Sequence, residues 1–191
     1  RAISHVREIG SLAIYSPTAS NREALAARLR ADLGIDATAV PSAQQAVEGA
    51  ELVIAAARSK NETAILEGRW LQPGSTIVSI GSTLPEQREV DAEVIARSAR
   101  VVADVPEEVV HETGDMLEAK AAGVAFEDKV VSLGDVVAGK CRARAHDDEI
   151  VTFKSVGSAL QDIAVAEMCL LHARAEGAGT PLPIEFDFKQ V

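Results

Sequence analysis

The chain is short of positive charge. It has 19 Lys and Arg against 29 Asp and Glu, a net charge of −10, and a pI near 4.9. Sequence-independent binding to DNA or RNA needs a basic face that displaces counterions, so nucleic acid is not an expected partner. No apolar run approaches the ~20 residues that span a bilayer, so no membrane partner is expected either. The opening stretch, RAISHVREIG, has no signal-peptide apolar core. Only two cysteines occur, Cys141 and Cys169, far apart and in no CxxC motif. The four histidines, His5, His111, His146 and His172, form no i,i+4 pair. Neither a disulfide framework nor a metal site is expected, and free thiols suit a reducing cytoplasm. Aromatics are 3% of residues, so the core must come from small aliphatic side chains. A Gly-rich GxGxxG turn, which presents backbone N–H groups to a pyrophosphate, is absent.

What is present is an ordered alternation of short apolar runs and helical stretches. Apolar residues make up 47% of the 191 positions, ample for one buried core, alone or with an appendage. Residues 12–15, 35–40, 52–57, 75–80 and 100–104 read as buried strands bounded by turn residues. Between them, 21–33, 42–48 and 91–98 read as helices, with Ser42 a fitting cap and Gly34 a fitting stop. Continuous apolar strands are what a sheet covered on both faces requires. The fold class expected is therefore α/β, a doubly wound, mostly parallel sheet. Residues 3–9 read as the tail of a helix, 106–123 as helical with a break at Gly114, and 133–139 as a short helix. Residues 150–153 read as a brief strand or extended entry. The strongest helical pattern runs from Ser155 to Arg174, with Ser155 as cap and an apolar stripe of Val156, Leu160, Ile163, Ala164, Met168 and Leu171. Two parts are expected, residues 1–150 and residues 151–191. The missing Gly-rich turn and the missing initiator Met lead to the expectation of a longer protein, whose first strand and phosphate loop precede Arg1.

Four stretches carry a resemblance. They are SIGSTLPEQREVD at 79–91, ADVPEEVVHETGD at 103–115, SLGDVVAGK at 132–140 and FKSVGSALQDIAVA at 153–166. In order and spacing the chain resembles the ornithine cyclodeaminase/mu-crystallin family. The resemblance implies a Rossmann-like nucleotide domain, lacking its first strand and Gly-rich loop, with a long C-terminal helix returning to an N-terminal substrate and dimer lobe. It also implies hydride transfer between a nicotinamide dinucleotide and the alpha carbon of an amino acid or imine.

The resemblance directs attention to the carboxyl ends of the strands. Ser16, Thr18 and Arg22 follow the first strand, where a carboxylate would hold the ribose of NAD and a basic or hydroxyl residue a 2′-phosphate. No acid stands there, so NADP(H) is expected over NAD(H). Ala56, Ala57 and Ser59 follow the third strand as further cofactor contacts. Gly81 and Ser82 follow the next, with Gly81 expected to let the backbone approach the nicotinamide. Val156 and Gly157, expected at the start of the last helix, are placed near the carboxamide. Thr83 stands where the family's cyclodeaminases have Asp; it cannot act as a carboxylate, and it is a candidate substrate contact. Arg88 is expected to form a salt bridge to a nearby acid. No catalytic residue is identified, and the family's substrate-binding Arg and Lys match no residue of this chain.

The resulting expectation is an NAD(P)H-dependent oxidoreductase of this family, cytoplasmic and homodimeric when full length. Its activity would be that of a ketimine reductase, such as a pyrroline-2-carboxylate reductase, or of an alanine dehydrogenase. A cyclodeaminase-type ammonia lyase and a non-catalytic binder of NADPH and a small ligand are the alternatives. Residues 1–191 alone are expected to bind dinucleotide weakly or not at all.

Overall fold

The computed structural model describes residues 2–57 and 63–180. It divides into two compact units, Arg1–Val156 and Gly157–Val191. Among the described residues of the first are seven parallel-paired strands: β1 (Ser11–Ile14), β2 (Asp36–Ala39), β3 (Leu52–Ala55), β4 (Thr76–Ser79), β5 (Ser98–Ala103), β6 (Val130–Ser132) and β7 (Ile150–Lys154). Helices α1 (Ala19–Leu33), α2 (Ala43–Val47), α3 (Ala92–Arg97), α4 (Pro106–Glu112), α5 (Gly114–Ala121) and α6 (Leu133–Val137) connect them, and α7 (Ala159–Ala175) lies in the second unit.

Local chemistry sets most boundaries. Gly34 ends α1 in the left-handed conformation, φ +67°, and its N–H donates to the Arg30 carbonyl. Ser42 caps α2 by accepting from the Gln45 N–H, and Asp91 caps α3 by accepting from the Val94 N–H. Pro106 at the first turn of α4 needs no N–H partner there.

The strands form two sheets, β1–β2 and β3–β4–β7–β5–β6. The larger sheet packs Val53, Ile77 and Val101 against Val94 and Ile95 of α3, Val109 of α4, and Met116 of α5, with Phe126 fully buried beside them. The smaller sheet has its own core of Ile14, Ala26 and Ala37. The small side chains of this composition permit that close helix-on-sheet contact.

Several expectations are corrected. Residues 3–9 contain only a single 3₁₀ turn, Ile3–His5, with no buried residue to sustain a longer helix. Val130–Ser132, unmarked in the sequence, is an edge strand paired with β5. Residues 150–154, expected as a minor or entry segment of the second part, form the central strand of the larger sheet. Ser155 does not cap the last helix; Ser158 does, accepting from the Leu160 N–H. The residues expected to form an apolar stripe on that helix, among them Leu160, Ile163, Met168 and Leu171, are exposed, and Val156 lies outside it.

Candidate functional site

Parallel pairing brings the carboxyl ends of β3, β4, β7 and β5 to one edge. Ser79 pairs with Lys154 at the ends of β4 and β7, and the Ser155 N–H donates to the Ser79 carbonyl at 3.1 Å. The Gly81 turn and the Ser155–Val156 segment are therefore neighbours, although 75 residues separate their strands' last hydrogen-bonded side chains.

Asp104, just beyond β5, fixes the second of these segments. Its Oδ2 accepts from the Ser155 hydroxyl at 2.6 Å, and its Oδ1 accepts from the Val156 N–H at 3.1 Å and the Val105 N–H at 2.9 Å. The Ser155 hydroxyl is thus used by a neighbouring strand end rather than by a helix. Val156 is half-buried against the core. Gly157, the first residue of the second unit, is exposed with φ +81°, a conformation that favours glycine.

Gly81 has a packing reason to lack a side chain. A Cβ there would run into the Glu89 carboxylate and lie 2.8 Å and 2.9 Å from the Ala57 nitrogen and oxygen. The missing side chain lets the ends of β3 and β4 close over Glu89.

Beneath that turn lies a charged cluster with no solvent exposure. Lys154 Nζ donates to Asp115 Oδ2 at 2.6 Å, to the Ser82 carbonyl at 2.7 Å and to Ser79 Oγ at 3.0 Å. Three donated bonds use all the protons of an ammonium. Because Ser79 Oγ accepts from Lys154, its own proton goes to Glu89 Oε2, 2.6 Å away. The Glu89 carboxylate also accepts from the Gly81 N–H at 3.0 Å and, through Oε1, from the Ala57 N–H at 3.0 Å. Asp115, in the first turn of α5, accepts from the Glu89 N–H at 2.7 Å and the Val90 N–H at 3.3 Å. One cluster thereby ties together the ends of β3, β4 and β7 and the start of α5. Burial pushes the Glu89 carboxyl above its ordinary range, against the opposing pull of Ser79, Gly81, Lys154 and Ala57.

The other expected residues are distributed along the same edges. Ser82 is fully buried, its hydroxyl donated to the Gln87 carbonyl at 3.1 Å and its carbonyl used by Lys154. Its side chain faces inward because the turn after β4 folds back on Gln87, so it supports the turn rather than its outer surface. Thr83 is half-buried, with its N–H donating to Gln87 Oε1 at 3.0 Å. Ala56 and Ala57 are exposed at the end of β3, while Ser59 lies outside the described residues. At the end of β1, Arg22 Nη1 donates to the Ser16 carbonyl at 2.9 Å, and Thr18 occupies the N-cap position of α1 without a side-chain capping bond. No acid occurs from Tyr15 to Arg22. Arg88 forms the expected ion pair, Nε to Glu118 at 2.6 Å.

Sequence reasoning missed Asp115 and Asp104 as parts of the site, and missed that Lys154 is buried and paired there. Lys154 and Asp104 stand second in the motifs at 153–166 and 103–115, each directly after an apolar strand residue, and Asp115 closes the latter motif. Glu89, which follows the Gly81 turn within the first motif, is a further member that sequence reasoning does not single out.

The residues present fit the two ends of a dinucleotide: a guanidinium with no competing carboxylate after β1, and adjacent backbone turns after β4 and β7. No Gly-rich turn in this sequence answers to the pyrophosphate.

Comparison with known proteins gives the family. Residues 1–177 match the ornithine cyclodeaminase/mu-crystallin family. The chain is 31% identical over 187 residues to a delta(1)-pyrroline-2-carboxylate reductase of Bacillus cereus, covering 97% of this chain and 56% of that protein. It is 31% identical over 155 residues to the ketimine reductase mu-crystallin of Mus musculus, covering 81% and 45% respectively. Among solved structures, Thermococcus litoralis delta(1)-pyrroline-2-carboxylate reductase, in complex with NADH and L-proline, superposes with a TM-score of 0.87 at 31% identity, covering 95% of this chain and 55% of that one. The chain spans about half the length of the curated relatives it matches. With nearly its whole length matched and the motif-bearing turns gathered at one sheet edge, the chain belongs to the ornithine cyclodeaminase/mu-crystallin family.

Proposed function

We propose that the protein carrying this chain is an NAD(P)H-dependent oxidoreductase acting at the alpha carbon of an amino acid or cyclic imine, and that this chain forms most of its dinucleotide-binding part. The observation that carries the reading is the adjacency of the Gly81 turn and the Ser155–Val156 segment at the ends of the paired strands β4 and β7. A relative of similar fold binds NADH and L-proline, which supports a small cyclic imino acid as the substrate class. When bound, the nicotinamide supplies or accepts the hydride; the protein's part is orientation and electrostatics.

In this reading Gly81 and Val156 present backbone to the nicotinamide end, Ala56 and Ala57 line the middle of the rim, and Ser16, Thr18 and Arg22 meet the adenosine ribose. Thr83 hydrogen-bonds the substrate. NADP(H) is preferred over NAD(H), because a guanidinium stands after β1 and no carboxylate competes for a 2′-phosphate. Reduction is favoured over ammonia-eliminating cyclisation because Thr83 cannot act as a carboxylate. A homodimer and a cytoplasmic location complete the proposal; the free thiols Cys141 and Cys169 suit a reducing compartment.

The test is a cofactor-oxidation screen of the full-length protein with NADPH and NADH against pyrroline-2-carboxylate, piperideine-2-carboxylate and pyruvate with ammonia. Turnover of at least one, faster with NADPH, is expected. Ammonia release from ornithine without any imine reduction would overturn the reading.

A further inference from the structure

The buried cluster beneath the rim holds more charge than it balances. Lys154 contributes one positive charge, and Asp115 and Glu89 one negative charge each. Asp115 is compensated twice: Lys154 lies 2.6 Å from Oδ2, and the carboxylate sits in the first turn of α5, where the helix dipole favours an anion. Among the described residues, Glu89 forms no ion pair of its own. Its hydrogen-bond donors among the described residues are neutral, two backbone N–H groups, from Ala57 and Gly81, and the Ser79 hydroxyl, while Lys154 acts on it across Ser79 and is already paired with Asp115. The neighbouring Arg88 does not offset it; its guanidinium is engaged with Glu118 and with the carbonyls of Pro85 and Gln87. Glu89 is fully buried, so water does little to screen the surplus. Its carboxylate lies against the inner side of Gly81, in the space a Cβ would take.

We propose that Glu89, linked through Ser79 to the Lys154–Asp115 pair, is a positioning residue that also sets the charge preference of the rim. It fixes the ends of β3 and β4 through their N–H groups, and its unbalanced negative charge favours the cationic, oxidised nicotinamide over the neutral, reduced one. The inference rests on the functional reading above and deepens it. A rim that favours the oxidised ring favours hydride donation to substrate, the direction a reductase uses. A scaffold role alone gives a different expectation, since loosening the strand ends would weaken both cofactor forms alike.

The ratio of the two affinities therefore separates the two roles. Oxidised and reduced forms of the same dinucleotide are titrated against the full-length protein by calorimetry and by reduced-nicotinamide fluorescence, with no substrate present. In Glu89→Gln the preference for the oxidised form over the reduced should fall by about fivefold or more, because the buried charge is removed while the side chain keeps its size. Ser79→Ala gives a second readout, valuable if Glu89→Gln does not fold. In the parent protein the preference for the oxidised form is fully present while Glu89 is ionised, and declines as pH falls and the carboxyl takes up a proton. Deleting the Ser79 donor removes an interaction with the charged form, so the decline should begin at higher pH. Among the described residues, the titratable groups facing Glu89 are Lys154 from β7 and Asp115 from α5, which pair with each other at 2.6 Å. An unchanged ratio in Glu89→Gln, or an unmoved pH profile in Ser79→Ala, overturns the inference and leaves the functional reading standing. Failure of the parent protein to bind either dinucleotide overturns both.

Discussion

Replacing Lys154 with Met tests the buried cluster most directly. Met has a similar length and no charge. Three hydrogen bonds vanish together, to Asp115, to the Ser82 carbonyl and to Ser79. Asp115 then keeps only the two backbone donors on Oδ1, and its Oδ2 is left without its partner in a site with no exposure. Breaking one side of a buried ion pair costs about 3–5 kcal/mol. That is a large share of a total stability of about 5–15 kcal/mol. With a urea slope of about 2 kcal/mol/M, the unfolding midpoint should fall by about 2 M. The measurement is urea unfolding followed by circular dichroism, for Lys154→Met, Asp115→Asn and the double variant. The double variant should lose less than the sum of the singles by at least about 1 kcal/mol, because the second change removes a group the first has orphaned. Lys140→Met provides the contrast: that ion pair with Asp135 is exposed, so its loss should leave the midpoint unchanged. Additive single effects, or a cost for Lys154→Met below about 1 kcal/mol, would refute the account of the cluster.

Other outcomes follow from neighbouring contacts. Asp104→Ala should cost about 2 kcal/mol and speed amide exchange at Val156, since it deletes the acceptor for the Ser155 hydroxyl and two backbone N–H groups; exchange at Val156 as slow as in the parent would contradict the pinning role. Arg22→Ala should weaken NADPH binding by about tenfold while leaving NADH binding little changed, and equal losses for both would remove the argument for a 2′-phosphate contact. Glu89 has a carboxyl raised by burial, so the native state holds its proton more tightly than the unfolded chain does. Its contribution to stability is fully present below the unfolded value and is lost as pH rises through the raised native value. The stability of the parent protein relative to Glu89→Gln should therefore decline as pH rises above about 4.5, and a rising difference would contradict the sign.

The amino-acid sequence alone determined the elements whose causes are local. Gly34 at the left-handed end of α1, and Ser42 and Asp91 at helix starts, act on neighbours within four residues. The apolar runs of β1 to β5 are likewise visible in order, and alternation with helices is enough for a parallel α/β fold. The four motifs carried the family. Tertiary structure decided what depends on distant pairing. Val130–Ser132 is too short to show a period, and it is a strand because β5 offers an edge. Ile150–Lys154 looked like a minor segment because Thr152 and Lys154 interrupt its apolar character, yet both polar groups are buried at the sheet's centre. Thr152 is satisfied by the Ser98 hydroxyl at 2.7 Å, and Lys154 by Asp115, Ser82 and Ser79. A buried charge is tolerated only where partners converge on it, and those partners come from elements 39 to 75 residues away. Local sequence can place Lys154 at the end of a strand; only the sheet order that puts β7 between β4 and β5 makes it the fixed point under the rim.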